Sequence, residues 1–258
     1  MSGEKSIHGL AQIRKIPFGA RLLSTWCFLT LFVIVVRLAP GLRTALRDFY
    51  TGLGFPETEA ILLAIFSIWA IIGLSLLFTL WIVVLIERPE NWKAFLLLQR
   101  TDWPGFWLLL GIQGLIFALE VWFLQRGLWD PIQGYLIRLG LWTEASLPIV
   151  PRAYLALNIL VLILVSWVEM VEEVYFRGYM QPQLTARLGA FWGITLSLFL
   201  WDVWHVWNPA MFIRRFVITI PSALIVHYRK RVWAPMLVHP LGNRLGTLLL
   251  LLGYASSH

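Results

Sequence analysis

Residues 155–178 read LALNILVLILVSWVEMVEEVYFRG, an apolar run that ends in three glutamates and an arginine. A helix needs about 20 predominantly apolar residues to cross the hydrocarbon core of a bilayer. This stretch has the required length, and its first charged side chain, Glu169, comes only in its second half. It therefore predicts a membrane-spanning helix that carries carboxylates inside the bilayer.

The composition of the whole chain also indicates a membrane protein. Of the 258 residues, 59% are hydrophobic and 14% are charged, and the mean hydropathy is +0.74. Soluble domains are about 45–50% apolar and about 25% charged, and a globular fold of the present composition would expose large apolar patches to water. The single cysteine, Cys27, excludes an internal disulfide and any site built from several cysteines.

Elsewhere in the chain, further segments are long and apolar enough to span a bilayer. The sequence thus predicts an all-α fold, a polytopic transmembrane helical bundle of about seven to eight spans. Residues 41–60 and 126–152 mix apolar and basic side chains with Gly and Pro, which is typical of interfacial segments, and 132–142 is the candidate eighth span. The seven predicted spans are 22–40, 61–86, 106–125, 153–175, 190–207, 211–228 and 233–253.

We divide the chain into a basic cytoplasmic tail (1–21), N-terminal transmembrane helices with interfacial segments (22–152), and a core with nearly all the chemistry (153–253). The tail is polar and basic, and the pattern of a cleavable signal peptide does not follow it. With the tail inside, the cytoplasmic loops hold twelve Lys and Arg residues and the opposite side holds eight, as the positive-inside rule favours.

The formal net charge of +7 is distributed in short basic clusters between apolar runs. This arrangement favours anionic lipid headgroups over nucleic acid as the partner of the basic residues. Together with the short loops, it predicts an integral protein of a bacterial inner membrane with a cytoplasmic N-terminus.

Ionisable side chains inside the predicted spans are concentrated in the core. Each costs about 2.5–3.5 kcal/mol on insertion scales, so each needs a partner or a function. Glu169, Glu172 and Glu173 share one helical face, and Arg177 follows Glu173 by four residues, the order that suits an ion pair. Other such residues are Asp202 and His205, one turn apart; His239 and Asn243, also one turn apart, with Arg244 beside them; and Glu120 and Arg37 in earlier spans.

The spacing along the chain predicts which of these side chains meet. If 153–187 form one long helix and 190–207 return antiparallel, the turn lies near Gly189. Glu172 and His205 then reach a similar height in the membrane. By the same tracing, His239 lies about 10 Å lower, so a bend or an offset is needed to bring it alongside.

The residues alone leave several functions open. A single Glu or His inside a membrane is often only a helix–helix hydrogen bond. Two carboxylates, two imidazoles and an amide in neighbouring helices can instead supply a general base, a proton shuttle and donors for an oxyanion. The same groups can also form the proton relay of a transporter, with Glu169 and Glu120 as further members.

Three short motifs in this core resemble those of the CPBP family (CAAX protease and bacteriocin-processing, also called ABI), which consists of intramembrane endopeptidases. EEVYFRG at 172–178 resembles the motif E-E-x-x-x-R-G. WDVWH at 201–205 resembles F-x-x-x-H with Trp in place of Phe, and HPLGN at 239–243 resembles H-x-x-x-N. Order and spacing match over 153–253, so the resemblance implies a protease of a membrane-associated peptide or protein.

The resemblance also implies a role for each residue. Glu172 would activate the attacking water with the help of His205, while His239 and Asn243 would stabilise the tetrahedral oxyanion. The supporting residues would be Glu173, Arg177 and Trp201, with the substitution at Trp201 affecting packing more than chemistry.

A zinc-dependent variant of the same protease stays open. One glutamate with two histidines is a plausible zinc shell that leaves a position for water. The chain contains no H-E-x-x-H, however, and Asn is an uncommon zinc ligand. We therefore expect metal-free glutamate chemistry without a cofactor.

Overall fold

The computed structural model describes residues 17–39, 41–126, 155–205 and 212–256. The regular structure of these residues is entirely helical, which confirms the all-α prediction. Each predicted span coincides with a long helix. The elements are α1 (Phe18–Leu38), α2 (Leu42–Gly52), α3 (Glu57–Glu87), α4 (Trp92–Phe95), α5 (Trp103–Gln125), α6 (Leu155–Glu173), a π-helical segment (Val174–Met180), α7 (Gln181–Trp204), α8 (Phe212–Arg229) and α9 (Trp233–Ser256).

Within the described residues, four segments are long and apolar enough to cross a membrane. Many large apolar side chains, among them Leu31, Leu74 and Trp107, are exposed on the outside of the bundle, where lipid would solvate them. These observations agree with the predicted helical membrane fold. Residues 127–152, which include the candidate eighth span, lie outside the described residues. The four segments are Phe18–Arg37, Glu57–Glu87, Trp103–Trp122 and Ile163–Trp204.

The segment predicted to be interfacial after the first span is a short helix, α2, with no buried residue. It packs along α3, where the hydroxyl groups of Tyr50 and Ser67 are 2.6 Å apart. Gly41 precedes α2 with a φ of 89°, a left-handed conformation that glycine adopts without steric cost. This turn lets the chain leave α1 and fold back toward α3.

The centre of the fold is a helical hairpin whose turn is at Gly189. The chain stays helical from α6 through the π-helical segment into α7, until Gly189 breaks it with φ 77° and ψ 168°. Residues 190–204 then run back along the first arm, and the hydroxyl of Ser197 donates to the carbonyl of Phe176 at 3.3 Å. The antiparallel pair predicted from the sequence is therefore present.

The helices α8 and α9 pack against this hairpin. Gln181 donates its side-chain N–H to the carbonyl of Ala223 on α8 at 2.7 Å. The loop between α8 and α9 is fixed by Arg229, whose Nη2 donates to Oδ1 of Asp102 at 2.5 Å. This hydrogen bond holds the pKa of the Asp102 carboxyl below its usual value, so the ion pair stays charged at neutral pH.

Gly193 tests how closely the two arms of the hairpin must approach. A Cβ at Gly193 would lie 2.5 Å from the backbone nitrogen and Cα of Thr185, so Gly193→Ala has to push the arms apart. Overpacking of this kind costs about 1–3 kcal/mol, and we expect the thermal unfolding midpoint in detergent to fall by several degrees. Gly111→Ala on α5, where a Cβ meets no atom within 4 Å, is the matched control and should leave the midpoint unchanged or raise it. An unchanged midpoint in Gly193→Ala would contradict the close packing.

Candidate active site

The acidic pair at the end of α6 is buried. Glu172 and Glu173 are each 2% exposed, and Arg177 is 1% exposed. The π-helical segment that follows places Nε of Arg177 3.4 Å from Oε2 of Glu173. Since an unpaired buried charge is strongly destabilising, this contact explains how Glu173 is tolerated. The predicted Glu173–Arg177 ion pair is present.

Glu172 faces the second arm of the hairpin. The indole Nε1–H of Trp201 donates to its Oε1, and Nε2 of His205 lies 3.8 Å from the same oxygen. The other ring nitrogen of His205, Nδ1, is 2.9 Å from the carbonyl oxygen of Trp201. A carbonyl only accepts, so Nδ1 carries the proton and Nε2 presents a lone pair toward Glu172 when the ring is neutral. Glu172 and His205 thus meet as their heights predict.

His239 joins the cluster from α9. Its Nδ1 is 2.9 Å from Oε1 of Glu173, and its ring centroid is 6.2 Å from that of Trp201. The height tracing assumed that the turn at Gly189 and the loop before α9 lie level in the membrane. Since His239 nevertheless reaches Glu173, the helices must have the bend or the offset that the tracing required.

Asn243, one turn beyond His239, contacts α6 one turn before Glu173. Its Nδ2 donates to Oε1 of Glu169 at 3.0 Å, while Nη2 of Arg244 lies 2.9 Å from Oε2 of Glu169. Sequence reasoning placed Glu169 on the right face but did not pair it with Asn243 or Arg244. The signal was available, because the i, i+4 spacing of Glu169 and Glu173 matches that of His239 and Asn243 on an antiparallel neighbour.

The remaining ionisable residues singled out in the sequence have partners away from these contacts. Asp202 Oδ1 accepts from Nε of Arg215 at 2.7 Å, and Glu120 receives two hydrogen bonds from Arg214 at 2.7 and 2.8 Å. Both arginines belong to α8, which these pairs tie to α7 and α5. Arg37 lies over the ring of Trp69, 4.2 Å from its centroid. These contacts therefore do not form a continuous proton relay from Glu120 to Glu172 and Glu173.

The clustered side chains could bind a metal ion, and they also hydrogen-bond to one another. Glu172, Glu173 and His239 each offer one ligand atom, and these atoms all lie within 4.8 Å of one another. Carboxylates and imidazole are ordinary zinc ligands, so these side chains can hold such an ion. The set differs from the one expected from the sequence, since the second carboxylate takes the place of His205.

A substitution at Arg177 tests whether the buried carboxylate of Glu173 needs a neighbouring cation. Arg177→Met removes the buried cation beside Glu173 and keeps most of the volume of the side chain. Breaking one side of a buried pair costs about 3–5 kcal/mol, so we expect a large fall in the unfolding midpoint in detergent. In the control Arg47→Met, the lost partner is the exposed Asp48, and the unfolding midpoint should hardly change because exposed ion pairs contribute little to stability. Equal stability of Arg177→Met and the wild type would show that Glu173 does not need this cation.

Comparison with known proteins identifies the core. Residues 153–245 match the family model of the Rce1-like proteins, described as type II CAAX prenyl endopeptidases. The match covers somewhat more than a third of the chain and includes every residue of the site from Glu169 to Arg244. No curated protein and no solved structure shows a significant match to the chain. The chain is thus a membrane protein whose described residues form helices and whose core, 153–245, matches the family model of the Rce1-like CAAX proteases, which fits the predicted resemblance to the CPBP family.

Proposed function

We propose that this chain hydrolyses a peptide bond of a membrane-associated peptide or protein, with Glu172 as the base that activates water. The observation that carries the proposal is the approach of His205 Nε2 to Oε1 of Glu172, at 3.8 Å across the buried hairpin. The match of the core to the family model of a protease supports the reaction class. The proposal keeps the localisation expected from the sequence, a bacterial inner membrane with the N-terminus in the cytoplasm.

The spacing of these two side chains suits a water molecule. A distance of 3.8 Å is too long for a direct hydrogen bond, but a water can lie within about 2.8 Å of both atoms. As its oxygen attacks the carbonyl carbon, the water gives a proton to Glu172. The C–N bond then breaks, and the proton passes to the leaving amine with His205 as shuttle. The products are a new carboxyl terminus and a new amino terminus.

The tetrahedral intermediate needs donors where its negative charge develops. We assign this role to His239 and Asn243, which lie one turn apart on α9. In the imidazolium form both ring nitrogens of His239 are donors: Nδ1–H binds Glu173, which fixes the ring, and Nε2–H is directed away from that carboxylate toward the oxyanion. Glu169 accepts one N–H of the Asn243 amide, which fixes the direction of the second N–H. Donors held in place before the reaction lower its barrier without reorganisation.

We further propose that the reaction needs no metal ion. Glu173 and His239 are hydrogen-bonded directly to each other at 2.9 Å, and Oε1 of Glu172 already accepts from Trp201. A zinc ion bound through these same atoms would replace these contacts. When bound, zinc would polarise the attacking water, a task that the proposal gives to Glu172.

Removing the base tests the reaction. We expect Glu172→Gln, and separately His205→Ala, to lower cleavage by at least about 100-fold, the usual contribution of a general base. Terminal proteomics of membranes with wild-type or Glu172→Gln protein identifies the cleaved peptide bonds, and synthetic peptides spanning them give rates in proteoliposomes. Glu120→Gln is the matched control, because a proton-relay transporter would need Glu120 and the protease does not. Full cleavage by a folded Glu172→Gln protein would contradict the proposal.

Chelation tests the metal-free mechanism separately. After dialysis against 1,10-phenanthroline, we expect the peptide cleavage rate in proteoliposomes to stay within twofold of the untreated value. Thermal unfolding, measured in parallel, controls for damage to the fold. A rate that is lost on chelation and restored by zinc alone would overturn the metal-free mechanism and leave the protease assignment standing.

A further inference from the structure

We propose that Trp201 is a positioning residue that orients the Glu172 carboxylate for water activation through its indole N–H. This inference rests on the proposed function and deepens it. At this place the related motif has Phe, whose ring carries no donor. The substitution therefore adds a hydrogen bond to the site, whereas the sequence suggested only an effect on packing.

Trp201 contacts several of the groups that surround Glu172. It is 2% exposed, its Nε1–H donates to Glu172, and its carbonyl oxygen accepts from Nδ1 of His205 at 2.9 Å. The guanidinium of Arg177 lies over its ring, 4.4 Å from the centroid. The ring of His205 lies 4.5 Å away, centroid to centroid. One residue thus fixes the tautomer of His205 with its backbone and the carboxylate of Glu172 with its side chain.

The indole is well suited to this task. A glutamate side chain has three rotatable bonds, so the carboxylate needs a fixed partner to keep one orientation. The packed indole supplies a rigid donor without adding a charge to the cluster. Because an N–H only donates, it binds the carboxylate in the form that can accept a proton from water. A guanidinium in this place would bind the carboxylate more tightly and make it a weaker base.

Trp201→Phe separates this role from packing, since it keeps an aromatic ring and removes the donor. We expect kcat to fall about 10- to 100-fold while KM changes less than twofold, because the lost hydrogen bond orients the base and does not bind the substrate. The other titratable or charged groups facing Glu172 remain in place: Glu173 on its own helix, Arg177 on the π-helical segment, His205 after α7 and His239 on α9.

Trp26→Phe is the matched control. The indole of Trp26 on α1 donates at 2.9 Å to the backbone carbonyl of Leu200, the residue before Trp201. Its loss removes the same donor from the same neighbourhood without touching Glu172, so kcat should stay within about twofold of the wild-type value. An unchanged kcat in Trp201→Phe would overturn the inference. If Glu172→Gln is inactive in the same assay, the proposed function stands; if it cleaves normally, the proposed function fails.

A second measurement requires neither activity nor a stable Trp201→Phe protein. In protein labelled with ¹⁵N at the indole nitrogens, each tryptophan side chain gives one N–H resonance, and single Trp→Phe variants at other positions assign them by exclusion. The Trp201 signal should lie downfield in the wild type, as expected for a donor to a carboxylate, and move upfield in Glu172→Gln. A Trp201 signal at the same position in both proteins would overturn the inference.

Discussion

The fold depends on satisfying buried carboxylates in a low-dielectric interior. Glu169, Glu172 and Glu173 follow one face at the end of α6, and each obtains its partners from another turn or another helix. An unpaired charge in this position costs several kcal/mol, so the helices can pack only in the register that supplies those partners. The contacts that assemble the candidate active site are therefore also the contacts that align α6, α7 and α9.

The surrounding ion pairs hold this arrangement from outside. Arg214 and Arg215 are adjacent on α8, yet one reaches Glu120 on α5 and the other Asp202 on α7. Asp202 lies one turn before His205, so the α8 contact restrains the end of the helix that presents the imidazole. Catalytic groups held by rigid elements in this way keep their geometry better than groups on loops.

Several features of the site follow from sequence spacing alone, and others do not. The lengths of the apolar runs predict the helices, and the equal distances of Glu172 and His205 from Gly189 predict their meeting. The partner of His239 depends on the relative heights of α6 and α9 in the bundle. Sequence spacing within one helix gives no information about these heights. The π-helical segment could not be predicted from the sequence either. All seven of its residues are buried, so their hydrophobic pattern has no periodicity that would distinguish a π-helix from an α-helix.

The partners of the three carboxylates distinguish their chemical roles. Glu173 lies 3.4 Å from Arg177, and Glu169 lies 2.9 Å from Arg244. A guanidinium is the cation that suits a buried ion pair, so each of these two carboxylates has an arginine partner that compensates its charge. Among the described contacts of Glu172, those within 4 Å come from an indole and an imidazole, neither of which is a permanent cation. A carboxylate in such surroundings can accept a proton and release it again, which is what general-base catalysis requires. Under the proposed function, the same helix carries two carboxylates in ion pairs with arginine and one that activates water, and the placement of the two arginines separates them.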